Sequence, residues 1–197
     1  MKLPQGVRRK RVLIPVVSAV GVLVLLVALN LTEFLLVVGG RGDSMSPTMP
    51  ACTGRGLAEG FTYRFRDPHR GEMVIFHARG ELGADWTPDP NAADSLDKRV
   101  IGIPGDTVVG RGGRVLVNGK KADEIQTLPF PAVHLDREEY FVLGDNRSYS
   151  QDSRDFGPVP RDAIFARTIL VIWPFGRIGV PPYDKALAPP GGPLCGS

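Results

Sequence analysis

The chain has 197 residues, of which 43% are hydrophobic and 23% charged, a composition typical of globular proteins that excludes wholesale disorder and collagen-like repeats. The formal net charge of +3 is unevenly distributed, because residues 1–32 contain five basic and no acidic residues, whereas the other 165 contain 19 basic and 21 acidic ones. A domain that binds nucleic acid is itself expected to be basic. The acidic balance of the main body therefore argues against a nucleic-acid partner.

The first predicted element is a transmembrane anchor over residues 12–32, preceded by a basic cytoplasmic tail over 1–11. The anchor carries no charge, and at helical rise it spans roughly 31 Å, close to the hydrocarbon core of a bilayer. The basic residues before it and Glu33 after it predict a single-pass protein of the cell membrane with an exported C-terminal body. The alternatives are a cleaved secretory signal, whose apolar core is usually only about 7–15 residues long, and a buried core helix.

The exported body, residues 33–180, is predicted to be a mostly β, antiparallel domain. Asn118-Gly119 predicts a type I′ hairpin turn, and residues 110–113 predict a second tight turn. Outside the anchor, the absence of a long helical periodicity argues against a parallel α/β sheet. Short β-branched and aromatic runs predict strands at 73–76, 100–103, 107–109, 114–117, 140–143 and 163–173.

Two segments are predicted to lack regular structure, namely a polar surface loop at 78–97 and a flexible C-terminal tail at 181–197. Cys52 and Cys195 are either unpaired thiols or one incidental disulfide, since two cysteines do not make a disulfide scaffold. The three histidines are scattered and no metal-ligand spacing occurs, so metal catalysis is not expected.

The first polar cluster that could carry chemistry is residues 42–50, GDSMSPTMP. Its glycine and two prolines restrict the backbone and could hold the hydroxyl of Ser44 in one orientation. The alternative is an ordinary loop.

The second cluster, residues 98–106, contains a candidate base. In a strand, Lys98, Val100 and Gly102 would share one face, so the amine would lie beside apolar surface. Such surroundings penalise the charged form and lower the pKa of a lysine, which can then accept a proton from a serine. The alternative is a solvated surface charge.

The third cluster, residues 144–157, is a dense polar loop that directly follows the predicted strand 140–143. It could orient the two catalytic groups of the other clusters. Alternatively, it is a solvated turn whose aspartates and arginines pair with one another.

In this order, the clusters resemble the bacterial type I signal peptidases, membrane-bound Ser/Lys proteases that remove signal peptides. The matching motifs are Ser44-Met45-Ser46-Pro47-Thr48, Arg70-Gly71-Glu72-Met73-Val74-Ile75-Phe76, residues 98–106 and residues 144–157. The resemblance extends from the predicted anchor to about Phe175. It implies the antiparallel β catalytic domain of these enzymes and amide hydrolysis through an acyl-enzyme, without a metal or cofactor.

The resemblance also implies the roles of individual residues. Ser44 would be the nucleophile, its backbone N–H would supply half of the oxyanion hole, and Lys98 would be the general base. Ser150 matches the position whose hydroxyl orients the lysine. Gly42 stands where some members carry a serine that gives the second oxyanion donor, so this donor is unassigned. Structural support of the site is implied for Asp145, Asp152 and Arg154.

The implied substrates are exported preproteins, cleaved after an Ala-x-Ala pattern, with the lipid bilayer and the secretion translocon as further partners. Ser44 lies 12 residues beyond Thr32, within roughly 40 Å of the anchor's outer end, where a signal peptide would emerge. Three alternatives stay open: a specialised relative such as a pilin-maturing peptidase, a membrane-tethered β module without catalysis, and a secreted soluble domain.

Overall fold

The computed structural model describes residues 21–22, 35–39, 42–50, 53–78 and 95–181. It divides the chain into two compact units, residues 1–36 and 37–197. In the first unit, Gly21 and Val22 are helical, and the rest of the predicted anchor and the cytoplasmic tail lie outside the described residues. Within the described ranges, no helix is both long and apolar enough to cross a membrane.

The described part of the chain is built mainly of β-strands in two sheets. The larger sheet has the order β1-β2-β11-β3-β4-β9-β10, and the smaller has the order β7-β6-β5-β8. From β2 onward, neighbouring strands pair antiparallel. The predicted mostly antiparallel β domain is therefore confirmed. The strands are β1 (Leu35–Gly39), β2 (Arg55–Glu59), β3 (Met73–His77), β4 (Ser95–Gly102), β5 (Thr107–Arg111), β6 (Arg114–Val117), β7 (Lys120–Lys121), β8 (Phe130–His134), β9 (Glu139–Leu143), β10 (Val159–Pro160) and β11 (Ile164–Trp173).

Helical structure is limited to short pieces among the described residues from Leu35 onward. One turn of α-helix, α1 (Ser153–Phe156), is capped at its N-terminus by Asp152, whose side chain accepts from the backbone in a capping box with Asp155. Three 3-10 turns complete the set, at Thr62–Arg64, Arg161–Ala163 and Phe175–Arg177.

Strand β9 separates the two main hydrophobic cores, because successive side chains of a strand point to opposite faces. Tyr140 and Val142 pack with Phe156 of α1 in one core, and Phe141 and Leu143 pack in the other core against the smaller sheet. Each fully buried side chain of this size contributes about 1.5–3 kcal/mol to folding. The sheet that carries the site is thus covered on both faces around β4 and β9.

The two predicted tight turns are confirmed by their backbone geometry. Asn118 and Gly119 have φ values of 51° and 77°, as a type I′ turn requires. Gly112 and Gly113, with φ values of 60° and 74°, form the turn between β5 and β6. Gly110 instead lies within β5, where a Cβ would overlap the ring of Phe130.

The predicted loop 78–97 is wrong at its C-terminal end, because β4 already begins at Ser95. Ser95 and Asp97 pair with His77 and Ile75 of β3, so the hairpin extends three residues further than the polar sequence indicated. Leu96 between them packs against the hydrophobic core, which gives the alternation of a strand. Residues 79–94 lie outside the described residues.

Gly102 does not share a face with Lys98 and Val100, contrary to the prediction. A β-bulge interrupts the pairing of β4 with β9 between Val100 and Gly102. A bulge inserts one residue and reverses the alternation beyond it. A Cβ on Gly102 would therefore point at Val108 and Leu135 in the second core.

Candidate active site

The loop that carries Ser44 is held on the larger sheet by two buried methionines. Residues 42–50 form successive turns, in which Ser46 N donates to Asp43 O at 3.0 Å and Met49 N donates to Met45 O at 2.9 Å. Met45 and Met49 are each 3% exposed. Burying both side chains fixes the loop on the sheet and leaves Ser44 partly accessible. The apolar cluster consists of Met45, Met49, Met73 and Val171.

Lys98 extends from β4 towards this loop. Its strand neighbours at two residues' distance, Leu96 and Val100, both contact the first core, as expected for alternation along the strand before the bulge. Nζ of Lys98 lies 2.9 Å from Oγ of Ser44 and donates to the carbonyl oxygen of Asp97 at 2.9 Å. The residue is only 2% exposed. The structure thus brings the hydroxyl of Ser44 and the amine of Lys98 into direct hydrogen-bond contact.

Burial lowers the pKa of Lys98 from that of an ordinary lysine, although the carboxylates of Asp97, Asp152 and Asp145 act in the opposite direction. Removing the amine from water penalises its charged form more than these carboxylates favour it. A neutral amine carries a lone pair and can accept the proton of the nearby hydroxyl. The arrangement is therefore chemically suited to activating Ser44 as a nucleophile.

Asp145 links the serine loop to the strand that carries Lys98. Its two carboxylate oxygens accept from Nε and a terminal nitrogen of Arg99, both at 2.6 Å. It also accepts from the hydroxyl of Thr48, near the end of the serine loop. Arg99 in turn donates to the carbonyl oxygen of Gly71 at 2.6 Å, ahead of β3. Asp145 and Arg99 are 5% and 7% exposed, so this bidentate pair is shielded from solvent.

Asp152 and Arg154 hold the loop that follows β9. Asp152 is fully buried and accepts from the backbone of Gly144 at 3.0 Å and from Arg154 Nε at 2.8 Å. Arg154 also donates to the carbonyl oxygens of Arg147 at 2.8 Å and Ser150 at 3.3 Å. Asp152 at the end of the loop and Arg154 in α1 therefore both shape residues 144–152.

Ser150 lies beside the site without a hydrogen bond to Lys98 among the described contacts. Its hydroxyl donates to the carbonyl oxygen of Gln151 at 3.5 Å. Ser150 and the carbonyl oxygen of Ser44 both pack against Gly144, where a Cβ would lie 2.5 Å from that oxygen. The carbonyl of Asp97, rather than Ser150, is the second partner of the Lys98 amine. The lysine-orienting role of Ser150 stays a prediction.

Gly42, two residues before Ser44, is surrounded by open space, since a Cβ at this position would meet nothing within 4 Å. A longer side chain would therefore have room at this position. The second oxyanion donor is still unassigned in this chain.

Two residues of the site were missed by the sequence analysis. Asn146 donates its backbone N–H to Ser44 O at 2.9 Å and its side-chain amide to Asp43 O at 3.2 Å. Arg99 pairs with Asp145 as described above. The sequence did contain one signal for Arg99. As the neighbour of Lys98 in a strand, it points to the opposite face of the sheet, and a charge buried there needs a partner of opposite charge.

The chain is similar to known signal peptidases over most of its length. A probable signal peptidase I-2 of Synechocystis sp. is 41% identical over 143 residues, covering 70% of this chain and 63% of the relative. A signal peptidase I of Leptolyngbya laminosa is 38% identical over 142 residues, covering 70% of this chain and 68% of the relative. The chain thus spans less than two thirds of the Synechocystis protein.

A crystal structure of a signal peptidase I from Enterococcus faecalis V583 is also similar, with 28% identity and a TM-score of 0.39 over 50% of this chain and 94% of that one. The family model described as signal peptidase, peptidase S26, matches residues 13–173, which is most of the sequence. This chain therefore belongs to the signal peptidase family, peptidase S26.

Proposed function

We propose that this protein is a membrane-anchored serine endopeptidase that removes signal peptides from exported preproteins, with Ser44 as nucleophile and Lys98 as general base. The observation that carries the proposal is the 2.9 Å separation between Lys98 Nζ and Ser44 Oγ, with the amine almost fully buried. Family membership supports the reaction class. The residue roles and the substrate are our own assignment.

In the acylation half of the reaction, the neutral amine of Lys98 takes the proton from Ser44 Oγ as this oxygen attacks the scissile carbonyl. Negative charge develops on the carbonyl oxygen, where the backbone N–H of Ser44 can donate to it. The ammonium of Lys98 then gives its proton to the leaving amine. An ester between Ser44 and the signal peptide and a free amino terminus on the mature protein result.

In the second half, Lys98 is again neutral and removes a proton from a water molecule. The resulting attack on the ester carbonyl forms a second tetrahedral intermediate, whose collapse returns the proton to Ser44 Oγ and frees the carboxyl end of the signal peptide. The cycle needs a single titrating group and requires no metal or cofactor.

Localisation follows from the uncharged segment 12–32 and the five basic residues before it, which support a cytoplasmic N-terminus and an extracytoplasmic catalytic domain. Ser44 is then tied close to the outer membrane surface, where the C-terminal end of a signal peptide emerges. In the Ala-x-Ala pattern, the small substrate side chains at the first and third positions before the cleaved bond fit shallow apolar pockets. An extended peptide places these two side chains on the same side.

The experiment that tests this function compares the full chain in lipid vesicles with its Ser44→Ala variant, using a preprotein that carries an Ala-x-Ala site. We expect the wild type to release the mature protein, and the variant to lose at least about 1,000-fold in rate with an unchanged melting temperature. Mass spectrometry of the product identifies the cleaved bond. A wild type without peptidase activity, or equal activity of the variant, would overturn the proposal.

A further inference from the structure

Asn146 holds the two peptide groups on either side of the nucleophile. Its backbone N–H donates to the carbonyl oxygen of Ser44 at 2.9 Å, and its side-chain Nδ2 donates to the carbonyl oxygen of Asp43 at 3.2 Å. The residue is 3% exposed, so water does not compete for these contacts. Asn146 lies just beyond β9, in the loop that Asp152 and Arg154 hold in place, which provides a rigid base for the contact.

The side-chain amide of Asn146 has one possible orientation. A carbonyl oxygen only accepts, so the nitrogen of the amide must face Asp43. In this orientation Oδ1 is buried without a hydrogen-bond partner among the described residues. A buried acceptor without a partner is unfavourable. The hydrogen bond from Asn146 Nδ2 to the Asp43 carbonyl is thus kept although Asn146 Oδ1 has no partner among the described residues.

This bond fixes the direction of the Ser44 N–H. The peptide bond between Asp43 and Ser44 is trans, so its carbonyl and N–H lie in one plane and point in opposite directions. The Asp43 carbonyl oxygen is held by Asn146 Nδ2 and by the backbone N–H of Ser46 at 3.0 Å. Within the described part of the chain, the Ser44 N–H donates to no acceptor. It is therefore directed away from Asn146 and is available to a ligand.

We infer that Asn146 is a positioning residue that directs the Ser44 N–H into the oxyanion hole. The inference rests on the proposed function and adds to it a residue that touches neither substrate nor the reacting atoms. Without the side-chain bond, the carbonyl of the Asp43–Ser44 peptide loses one of its anchors, and the peptide group rotates more freely. The N–H would then spend less time where the oxyanion forms, and charge stabilisation in the transition state would fall.

The test is the Asn146→Leu variant, which has a similar shape and no charge but lacks the donor, with Asn146→Ala as a second variant in case leucine impairs folding. We expect kcat on the preprotein to fall about 10- to 100-fold, with KM unchanged, since losing an entire oxyanion donor costs about 100- to 1,000-fold. Inhibition by a peptide aldehyde ending in alanine, whose hemiacetal oxygen occupies the oxyanion hole, should weaken by the same factor.

The matched control is Thr48→Val, which removes a different side-chain anchor of the same loop and leaves the Asp43 carbonyl untouched. The affinity of the Thr48→Val variant for the aldehyde should stay near that of the wild type. In the Asn146→Leu variant, the acid limb of the pH profile should also stay near that of the wild type, because Lys98 is unchanged. A folded Asn146 variant with wild-type kcat, or with lower activity but unchanged aldehyde affinity, would overturn the inference alone. A wild type that cleaves no preprotein would overturn both this inference and the proposed function.

Discussion

Lys98 shows at the scale of a single residue how the proposed catalytic role and stability oppose each other. Its pKa is lowered in the folded protein because burial disfavours the ammonium form. In the unfolded chain the amine is protonated up to about pH 10.4. At neutral pH, folding must therefore either deprotonate the amine of Lys98 or bury it in its charged form. This group therefore reduces the free energy of unfolding at neutral pH, and the reduction is lost as the pH rises from the folded-state pKa of Lys98 to about 10.4.

Replacing Lys98 by Met, which fills a similar volume without an amine, should separate the two effects. We expect kcat/KM to fall by about 100- to 10,000-fold, the usual contribution of a general base, while the melting temperature at pH 7 rises above that of the wild type. The gain in melting temperature should shrink as the pH rises towards about 10.4, the pKa of an unfolded lysine. Thermal unfolding at several pH values and a preprotein cleavage assay measure both.

The wild-type pH profile provides the complementary observation. kcat/KM should rise along an acid limb whose apparent pKa lies well below that of an ordinary lysine. A limb near pH 6.5 that vanishes when one histidine is replaced would contradict the role of Lys98 and indicate a conventional serine–histidine site.

At this scale the sequence predicted the two central side chains but not their surroundings. Ser44 and Lys98 were selected by the motifs that resemble those of the signal peptidases, because each cluster by itself also fits an ordinary loop or a surface charge. The bonds of Asp145 to Arg99 and of Asn146 to Asp43 join residues 46 and 103 positions apart. Such partners depend on how β4 and β9 are placed relative to the serine loop, and no local pattern fixes that.

The loop between β9 and α1 is the element that positions most of the site. Asp152 is the last residue of this loop. It accepts from the Gly144 backbone and pairs with Arg154 through two guanidinium nitrogens at 2.8 and 2.9 Å. Arg154 is 12% exposed in its side chain and Asp152 is 0% exposed. Removing one partner of a buried ion pair leaves the other charge without compensation, and this is strongly destabilising.

The Asp152→Asn substitution should therefore lower the free energy of unfolding by about 3–5 kcal/mol and reduce activity at the same time, because the loop also carries Asn146. Urea unfolding followed by circular dichroism measures the stability change. Asp155→Asn in the same helical turn is the matched control, since Asp155 is exposed, and should cost less than about 1 kcal/mol. Equal costs for the two variants would contradict the importance of the buried pair.

Strand positions were largely predictable and strand limits were not. Runs of β-branched and aromatic residues located β3, β5, β6, β9 and β11, whereas β2 (RGLAE) carries no such residues. β2 forms because β11, ten residues long, offers one edge to β2 and the other to β3. Its strand structure is imposed by a partner distant in sequence, just as the bulge after Val100 is imposed by pairing with β9.

At the scale of the whole molecule, one carboxylate connects segments that are far apart in sequence. Glu72 accepts from the hydroxyl of Tyr63 at 3.0 Å, the backbone N–H of His69 at 2.9 Å, and the guanidinium groups of Arg66 and Arg167, the latter at 2.9 Å. Arg167 lies in β11, and Glu72 directly precedes β3. Although burial acts in the opposite direction, these donors lower the pKa of Glu72 to about 2.

Acid stability should depend strongly on this group. Since the pKa of Glu72 is lower in the folded than in the unfolded state, its stabilising contribution is complete above about pH 4.5 and is lost as the pH falls towards 2. A shift of this size corresponds to about 3 kcal/mol. We expect Glu72→Gln to be less stable at pH 7 and to lose much less stability than the wild type between pH 4.5 and 2.

Urea unfolding at a series of acidic pH values tests this prediction, with Glu138→Gln as a control at an exposed position. The control should follow the wild-type acid profile. A Glu72→Gln variant with the same profile would show that the acid dependence arises elsewhere.

The overall architecture could be predicted from the sequence at the level of class. A mostly antiparallel β domain could be predicted from short strand-like runs, tight-turn signals and the lack of helical periodicity. The division of the described strands into sheets of seven and four, with β9 between two cores, could not be predicted. Sheet order depends on long-range pairing, and many orders satisfy the same alternation.

The turn between β5 and β6 offers a practical site for labelling. Gly112 and Gly113 are exposed, adopt positive φ and have open space where a Cβ would stand. Exposed tips of this kind tolerate inserted sequence better than other parts of a domain. A short epitope or fluorophore-binding peptide placed between these glycines would allow single enzyme molecules to be tracked without altering either end of the chain.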